Sequence, residues 1–177
     1  MRILSFDISA SPGVALLDVK DGKPRIFSVD HVETDSDSTD AQRYEVVEAF
    51  VKRFIFENPP PDAIVREKFI RGGSKRSTQL VFGAWASVDR ALATFGYSID
   101  DKDEIVASQV KRHIGGKGGA TKEEVAEGVI KRMGEDSRRY FYTERGRLLD
   151  DRTDAVAIGL TYLIKNGIIE EGAGQCR

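Results

Sequence analysis

The stretch Arg2-Ile3-Leu4-Ser5-Phe6-Asp7-Ile8 decides the fold, because it predicts a buried strand with a carboxylate near its end. Four of its seven residues are apolar, and the residues at 9–13 that follow break the strand. Outward from it, apolar residues predict a second strand at 14–19. Asp21-Gly22 predicts a hairpin turn into a third strand at 25–32. The chain is therefore expected to begin with an antiparallel meander of three strands.

The rest of the chain alternates predicted helices with short strands. Apolar residues at helical spacing predict helices at 41–57, 77–95, 121–133 and 151–165, and short apolar runs predict strands at 63–65 and 104–107. This order is typical of a mixed α/β sheet with helices on both faces. We expect one domain over residues 1–168 and a flexible tail over 169–177.

The composition excludes several classes of protein. The 177 residues include 29 Asp and Glu, 27 Lys and Arg, two His and one Cys. The single Cys176 excludes a disulfide framework and a Cys-rich zinc site, and it is typical of a reducing compartment. Any metal would have to be held by carboxylates, which select hard ions such as magnesium or manganese. We expect no signal peptide and no membrane span, and hence a cytoplasmic protein.

Carboxylates recur where such sheets form ligand sites. Asp7 ends the first strand and Glu67 ends the fourth, and ligands bind outside the carboxyl ends of strands. Asp151 and Asp154 lie three residues apart at the start of the last helix, on one face of it. Each acid alone is more often structural, for example a helix cap. Clustered, the four would repel one another unless cations neutralise them, which predicts two hard divalent ions and phosphoryl transfer or hydrolysis.

Two basic stretches stand against the near-neutral total charge. Residues 66–76 carry five basic residues and one acid. A second basic stretch lies at 111–122, and residues 30–40 carry five acids without a basic residue. Charge runs are usually solvated surface, so charge alone does not predict a binding face.

In their order along the chain, these motifs resemble the RuvC-type Holliday junction resolvases. The motifs are Asp7-Ile8-Ser9 with Pro12-Gly13-Val14-Ala15, Glu67 after a strand, Val110-Lys111 with a glycine-rich loop and Lys122, and Asp151-Arg152-Thr153-Asp154-Ala155-Val156-Ala157-Ile158. The resemblance covers residues 2–165. It implies an RNase H-like fold with a mixed five-stranded sheet, a homodimer, and paired nicks in a four-way DNA junction that leave a 5′-phosphate and a 3′-hydroxyl.

The resemblance also implies roles for individual residues. The implied ligands of two Mg²⁺ or Mn²⁺ ions per active site are Asp7, Glu67, Asp151 and Asp154. Asp150 competes with Asp151, and the family spacing Asp-x-x-Asp-Ala favours Asp151. Lys122 is also implied in catalysis, near the DNA backbone. The residues expected to contact DNA are Lys68, Phe69, Arg71, Lys75, Arg76, Lys111, Arg112, Lys117 and Lys122, and the acidic stretch at 30–40 is expected to face away from DNA.

One departure from the family concerns a stacking residue. The family often has an aromatic residue three positions after the strand-end Glu, where this chain has Ile70, with Phe69 one residue earlier. The register of that contact is therefore shifted, or the contact is lost. Residues 134–150 have no clear period; a packed connector is the commoner interpretation, and an extra basic and aromatic DNA contact is the alternative.

Other functions remain open at the level of sequence. The same acids would serve an RNase H-like nuclease that cuts RNA–DNA hybrids or flaps, and a basic surface would serve a junction-binding module without catalysis. An ATP-binding protein of the actin and sugar-kinase architecture also has an Asp after its first strand, but it lacks an acid corresponding to Glu67. The helix at 77–95, with Phe82 and Trp85, is a candidate dimer face or equally a buried core helix. The sequence does not decide between bacterial and phage origin, and it predicts no branch-migration partner.

Overall fold

A mixed five-stranded sheet organises the chain in the computed structural model, which describes residues 1–69 and 74–171. The strands are β1 (Arg2–Asp7), β2 (Gly13–Lys20), β3 (Lys23–His31), β4 (Ala63–Glu67) and β5 (Glu104–Ile105). The helices are α1 (Asp40–Glu57), α2 (Lys75–Thr94), α3 (Ala107–Gly115), α4 (Lys122–Met133), α5 (Arg138–Phe141) and α6 (Asp150–Lys165). The strand order is β3-β2-β1-β4-β5.

The first three strands form the predicted antiparallel meander. β1 pairs antiparallel with β2, and β2 with β3. Asp21 and Gly22 both have positive φ, 52° and 70°, as the tight hairpin turn between β2 and β3 requires. β4 pairs parallel with both β1 and β5. The predicted mixed α/β sheet of the RNase H-like type is confirmed.

Alternation along the strands divides the core into two layers. One layer packs α3, α4 and α6 on the sheet, and its buried residues include Ile3, Leu17, Val65, Ile114, Val129, Ile158 and Leu160. The other packs α1 and α2 on the opposite face, with Leu4, Phe6, Leu16, Ile64, Phe50, Phe54, Val88 and Leu92. Because Ile3 and Leu4 lie in different layers, β1 shows the two-residue period of a strand that is buried on both faces.

Some elements differ from the sequence predictions. Helix α3 was not predicted, because Val110 and Ile114 are its only buried residues and one i, i+4 pair is a weak periodic signal. Helices α1 and α2 begin before their apolar stripes, since Thr39 and Ser74 cap them in capping boxes.

The predicted boundary between domain and tail, after residue 168, lies close to the last residue that the structure describes. Ile169 is buried in the core beside α6, so packing extends past residue 168. Cys176 lies outside the described residues. None of the helices in the described part of the chain combines the length and hydropathy that a membrane crossing requires.

Candidate active site

Two carboxylates lie side by side at the ends of the central parallel strands. Phe6 pairs with Arg66 in the β1–β4 ladder, so Asp7 and Glu67 follow on adjacent strands. Residues two apart on a strand share a face, and Ile3 and Val65 belong to the layer of α6. Asp7 and Glu67 therefore face α6, and a hydrogen bond joins their side chains.

Glycines bring the start of α6 against this edge of the sheet. Gly13 on β2 pairs with Asp7. A Cβ atom at Gly13 would lie 1.9 Å from the carbonyl oxygen of Asp151, so only glycine permits this approach. Farther along α6, a Cβ at Gly159 would lie 2.9 Å from the Ser5 hydroxyl oxygen. The sheet and the first turn of α6 are thus in direct backbone contact beside Asp7.

An arginine in the same turn fixes α6 from the other side. Arg152 donates from Nε to His31 Nδ1 at 2.9 Å and from a terminal nitrogen to Asp30 Oδ1 at 3.2 Å. Arg53 of α1 donates to the other oxygen of Asp30 at 3.0 Å. Asp30 belongs to the acidic stretch, so part of that charge is neutralised by residues that position α6.

The four predicted acids form one electrostatic cluster. Burial raises the pKa of Asp7 well above its usual range, and the negative charges of Asp154, Glu67 and Asp151 raise it further. Burial is also the main cause that raises the pKa of Glu67 and the pKa of Asp151. For Asp154, burial is again the main cause, and it raises the pKa to about 7. Burial, joined at Asp7, Asp151 and Asp154 by neighbouring negative charges, therefore makes the charged forms of these carboxylates costly.

The chemistry of these donors fits a hard divalent cation. All four are carboxylates, the oxygen ligands that Mg²⁺ and Mn²⁺ prefer, and their mutual repulsion is what a bound cation relieves. Within residues 1–69 and 74–171, no group of three or more His, Cys, Asp or Glu side chains has the spacing to hold a metal ion as the side chains stand. The donors are thus adjacent without being gathered around one point.

Lys122 lies at the rim of the cluster in contact with Asp150. Their side chains form an ion pair, and the hydrogen bond that Lys122 donates to Asp150 is the main cause that raises the pKa of Lys122. Burial opposes ionisation of Asp150, but the contact with Lys122 lowers its pKa. Asp150 therefore serves as the partner of Lys122, whereas Asp151 is among the acids that raise the pKa of Asp7.

A cavity of about 320 Å³ opens beside the cluster between α3, α4 and α6. Glu67, Asp154, Lys111 and Lys122 line it, together with apolar residues such as Val110. The positive charge of Lys111 acts against the burial that raises the pKa of Glu67. The structure thus brings two of the predicted DNA-contacting lysines to the carboxylates.

The remaining predicted DNA contacts are more dispersed. Lys68 and Phe69 line a second cavity of about 330 Å³ with Asp7, Glu67 and Trp85. Arg76 forms an ion pair with Asp40, and Lys117 forms one with Glu124. Lys75 and Arg112 are exposed on α2 and α3. Arg71, like Ile70, lies outside the described residues.

Phe69 packs within an aromatic cluster and does not project alone. Its ring centroid is 4.8 Å from that of Phe82 and 6.1 Å from that of Trp85. Phe82 remains 53% exposed on the outer side of α2. Phe69 is therefore tied to the α2 side of the site.

Arg66, the first residue of the basic stretch at 66–76, is part of the buried structure of the fold. It is 8% exposed, donates to Glu104 Oε1 at 3.1 and 3.0 Å and to Asp89 at 2.9 Å, and stacks 3.8 Å from the Trp85 ring centroid. Sequence reasoning missed this role, as it missed those of Arg152 and His31. The alternation of β4 carries the missing signal, because Arg66 must point away from the face of Glu67.

Comparison with known proteins shows close relatives. Two curated proteins named crossover junction endodeoxyribonuclease RuvC, from Synechococcus sp. (strain CC9605) and Parasynechococcus marenigrum (strain WH8102), are each 30% identical over 162 residues, covering 91% of this chain and 97% of the relative. No protein-family model matches the chain.

Solved structures share the fold. The structure titled T. thermophilus RuvC in complex with Holliday junction substrate has a TM-score of 0.75 at 24% identity, and the match covers 94% of each chain. The yeast mitochondrial Holliday junction resolvase Ydc2 has a TM-score of 0.66 at 12% identity, covering 97% of this chain and 81% of that one. At these sequence identities, the structural matches show a shared fold and nothing further.

Proposed function

The chain belongs to the RuvC family of crossover junction endodeoxyribonucleases, and we propose on this premise that it resolves four-way (Holliday) DNA junctions by paired nicks. One observation carries the proposal: acids from β1, β4 and α6 form one electrostatic cluster at an edge of the sheet. A basic cavity adjoins that cluster, as a polyanionic substrate requires. We expect the enzyme to act in the cytoplasm of a bacterium or of a phage-infected host.

The RuvC family depends on divalent metal ions. In this chain, Asp7, Glu67, Asp151 and Asp154 would hold two Mg²⁺ or Mn²⁺ ions per active site. Bound divalent ions supply an activated water and offset the charge that develops on the departing oxygen. The raised pKa values of the four acids support this assignment, because burial makes their charged forms costly, neighbouring acids add to that cost at Asp7, Asp151 and Asp154, and a bound cation would offset both.

The chain's own residues orient the DNA. Lys122 and Lys111 attract the phosphate toward the acids, and Asp150 fixes the ammonium group of Lys122 at the rim. Glu67 and Asp154 line the same cavity, so the phosphodiester would lie between positive and negative side chains. Hydrolysis in which the 3′ oxygen departs would leave a 5′-phosphate and a 3′-hydroxyl.

A twofold homodimer would supply two such sites to the two opposed strands of a junction. The pairing of the exposed Phe82 on α2 with Phe69, at 4.8 Å between ring centroids, supports that helix as the dimer face, because adjoining apolar rings at a surface are typical of an interaction site. Sedimentation at increasing concentration, comparing wild type with Phe82→Glu, measures this. A wild-type protein that stays monomeric would overturn the dimer.

Cleavage of a panel of synthetic substrates tests the proposed function. The purified protein with Mg²⁺ or Mn²⁺ should cut four-way junctions in preference to flaps and RNA–DNA hybrids. Asp7→Asn should abolish cleavage and retain junction binding. Activity on hybrids alone would refute the resolvase, and a wild type that binds junctions but cuts no substrate with any divalent metal would favour a binding module.

A further inference from the structure

The connector before α6 forms a hairpin at residues 142–148. Tyr142 and Leu148 form an antiparallel bridge. Across the turn, the Thr143 amide donates to the Arg147 carbonyl at 2.9 Å, and the Arg147 amide donates to the Thr143 hydroxyl at 3.0 Å. Gly146 closes the turn with a φ of 78°. Residues 143–147 are thus held in one conformation by their own backbone and by Thr143.

The hairpin is joined directly to the helix that carries the active-site acids. Leu149, the residue before α6, donates its amide to the Phe141 carbonyl at 2.7 Å, and Phe141 is fully buried. Leu148 closes the hairpin, Leu149 follows it, and α6 begins at Asp150, so the hairpin stands beside the first turn of α6.

The arginines of this connector are used in different ways. Arg138 is engaged by Glu127 through two hydrogen bonds of 2.8 and 2.9 Å, and also by Glu135. Arg145 and Arg147, by contrast, are exposed on the hairpin. The ion pair of Arg147 with Glu33 is 3.6 Å long between side chains that are 74% and 69% exposed, and such pairs contribute little. Glu33 belongs to the acidic stretch at 30–40, so this part of the stretch lies beside the hairpin and does not face away from it as expected.

An open cavity of about 430 Å³ lies at the hairpin, lined by Thr143, Glu144, Arg145 and Arg147. The two guanidinium groups outnumber the single carboxylate of Glu144, and together with the Thr143 hydroxyl they suit the oxygens of a phosphate, which arginine binds through two parallel hydrogen bonds. The ordered turn reduces the entropy lost on binding.

We propose that the 142–148 hairpin is a second DNA contact, in which Arg145 and Arg147 bind backbone phosphates of the strand that enters the active site. This inference rests on the proposed function, because it assigns a further binding surface to the same substrate. Under this proposal both interpretations of residues 134–150 apply. Arg138 stabilises the fold, whereas Arg145 and Arg147 bind DNA. Phosphate contacts of this kind set the position of a substrate without reading its sequence.

Salt dependence of binding tests the hairpin directly. In an Asp7→Asn parent with Mg²⁺, the affinity for a synthetic four-way junction is measured against KCl concentration for Arg145→Gln, Arg147→Gln and the double variant. The slope of log K against log salt should fall by about 0.9 for each phosphate contact removed, and the double variant should bind about tenfold more weakly. Melting temperatures check that each variant is folded.

Arg139→Gln is the matched control. Arg139 is an exposed arginine of the same connector, but it lines a different cavity with Arg25 and Asp136. An unchanged slope in the double variant, or an equal loss in Arg139→Gln, would overturn the hairpin contact and leave the resolvase intact. The hairpin contact would also be overturned if the double variant bound RNA or a protein more weakly than the parent does but bound the DNA junction equally well. A parent that does not bind junctions at all refutes the proposed function, and the inference falls with it.

Discussion

Gly13→Ala should displace the active-site acids of α6 although it replaces none of them. Gly13 does not have a positive φ, so alanine fits its backbone conformation. The added Cβ, however, would lie 1.9 Å from the Asp151 carbonyl oxygen and 2.5 Å from the carbonyl carbon. Both are backbone atoms, so no change of rotamer relieves the contact.

The size of the displacement follows from these distances. Ordinary van der Waals contact begins at 3.4 Å, so β2 and the first turn of α6 must separate by about 1.5 Å. Overpacking of this kind costs about 1 to 3 kcal/mol of unfolding free energy. A misplacement of about 1 Å at reacting groups costs roughly 10²-fold in rate. Asp151 lies at the contact itself, so we expect the loss of cleavage to exceed the loss of stability.

Urea denaturation and initial rates of junction cleavage measure the two effects. Gly118→Ala is the control, because a Cβ there meets nothing within 4 Å. Gly159→Ala should be milder than Gly13→Ala, since its nearest contacts are the side chains of Leu17 and Ser5. If Gly13→Ala cleaves as fast as Gly118→Ala, the close approach of β2 does not position the acids of α6.

Three further predictions concern charges around the site. Burial raises the pKa of Asp154 from 3.8 to about 7, so between these pH values its carboxyl group is protonated in the folded protein and ionised in the unfolded chain. The free energy of unfolding, measured in EDTA, should therefore fall as the pH rises from 4 to 7. Asp154→Asn should remove up to about 4 kcal/mol of that loss at pH 8, and equal stability of variant and wild type there would contradict it. Arg66→Met should destabilise by about 3 to 5 kcal/mol in urea, because it leaves Glu104 buried, whereas Arg90→Met, which breaks an exposed pair with Glu48, should cost less than about 1 kcal/mol. Asp151→Asn should abolish cleavage and Asp150→Asn should only reduce it; the reverse order would exchange their roles.

The architecture was predictable where a periodic signal was strong. The apolar runs of β1 and β2 and the turn at Asp21-Gly22 predicted the meander, and long apolar stripes predicted α1, α2, α4 and α6. Helix α3 escaped because it rests on one buried pair. Capping by Thr39 and Ser74 set the helix starts, and a cap is a local signal that apolar periodicity does not include.

The candidate acids were predictable because strands end at them. What the sequence could not supply is how α6 reaches them. The contact of Gly13 with Asp151 and the hydrogen bond of Arg152 to His31 join residues more than a hundred positions apart, and nothing local marks either one. Arg66 was predictable in principle, since it follows Val65 and precedes Glu67 on a two-residue period.

The spread of the acids along the chain has a consequence for biosynthesis. Asp7 and Glu67 can meet once β1 and β4 have paired, but α6 leaves the ribosome after the other helices that the structure describes. At about 5 to 20 residues per second, the ribosome takes several seconds to reach Asp154 after Glu67. A nascent or truncated chain that ends before α6 therefore lacks two of the four proposed metal ligands, Asp151 and Asp154, and also Asp150, the ion-pair partner of Lys122. With the proposed site, the chain would become competent to cut DNA only after α6 has been synthesised.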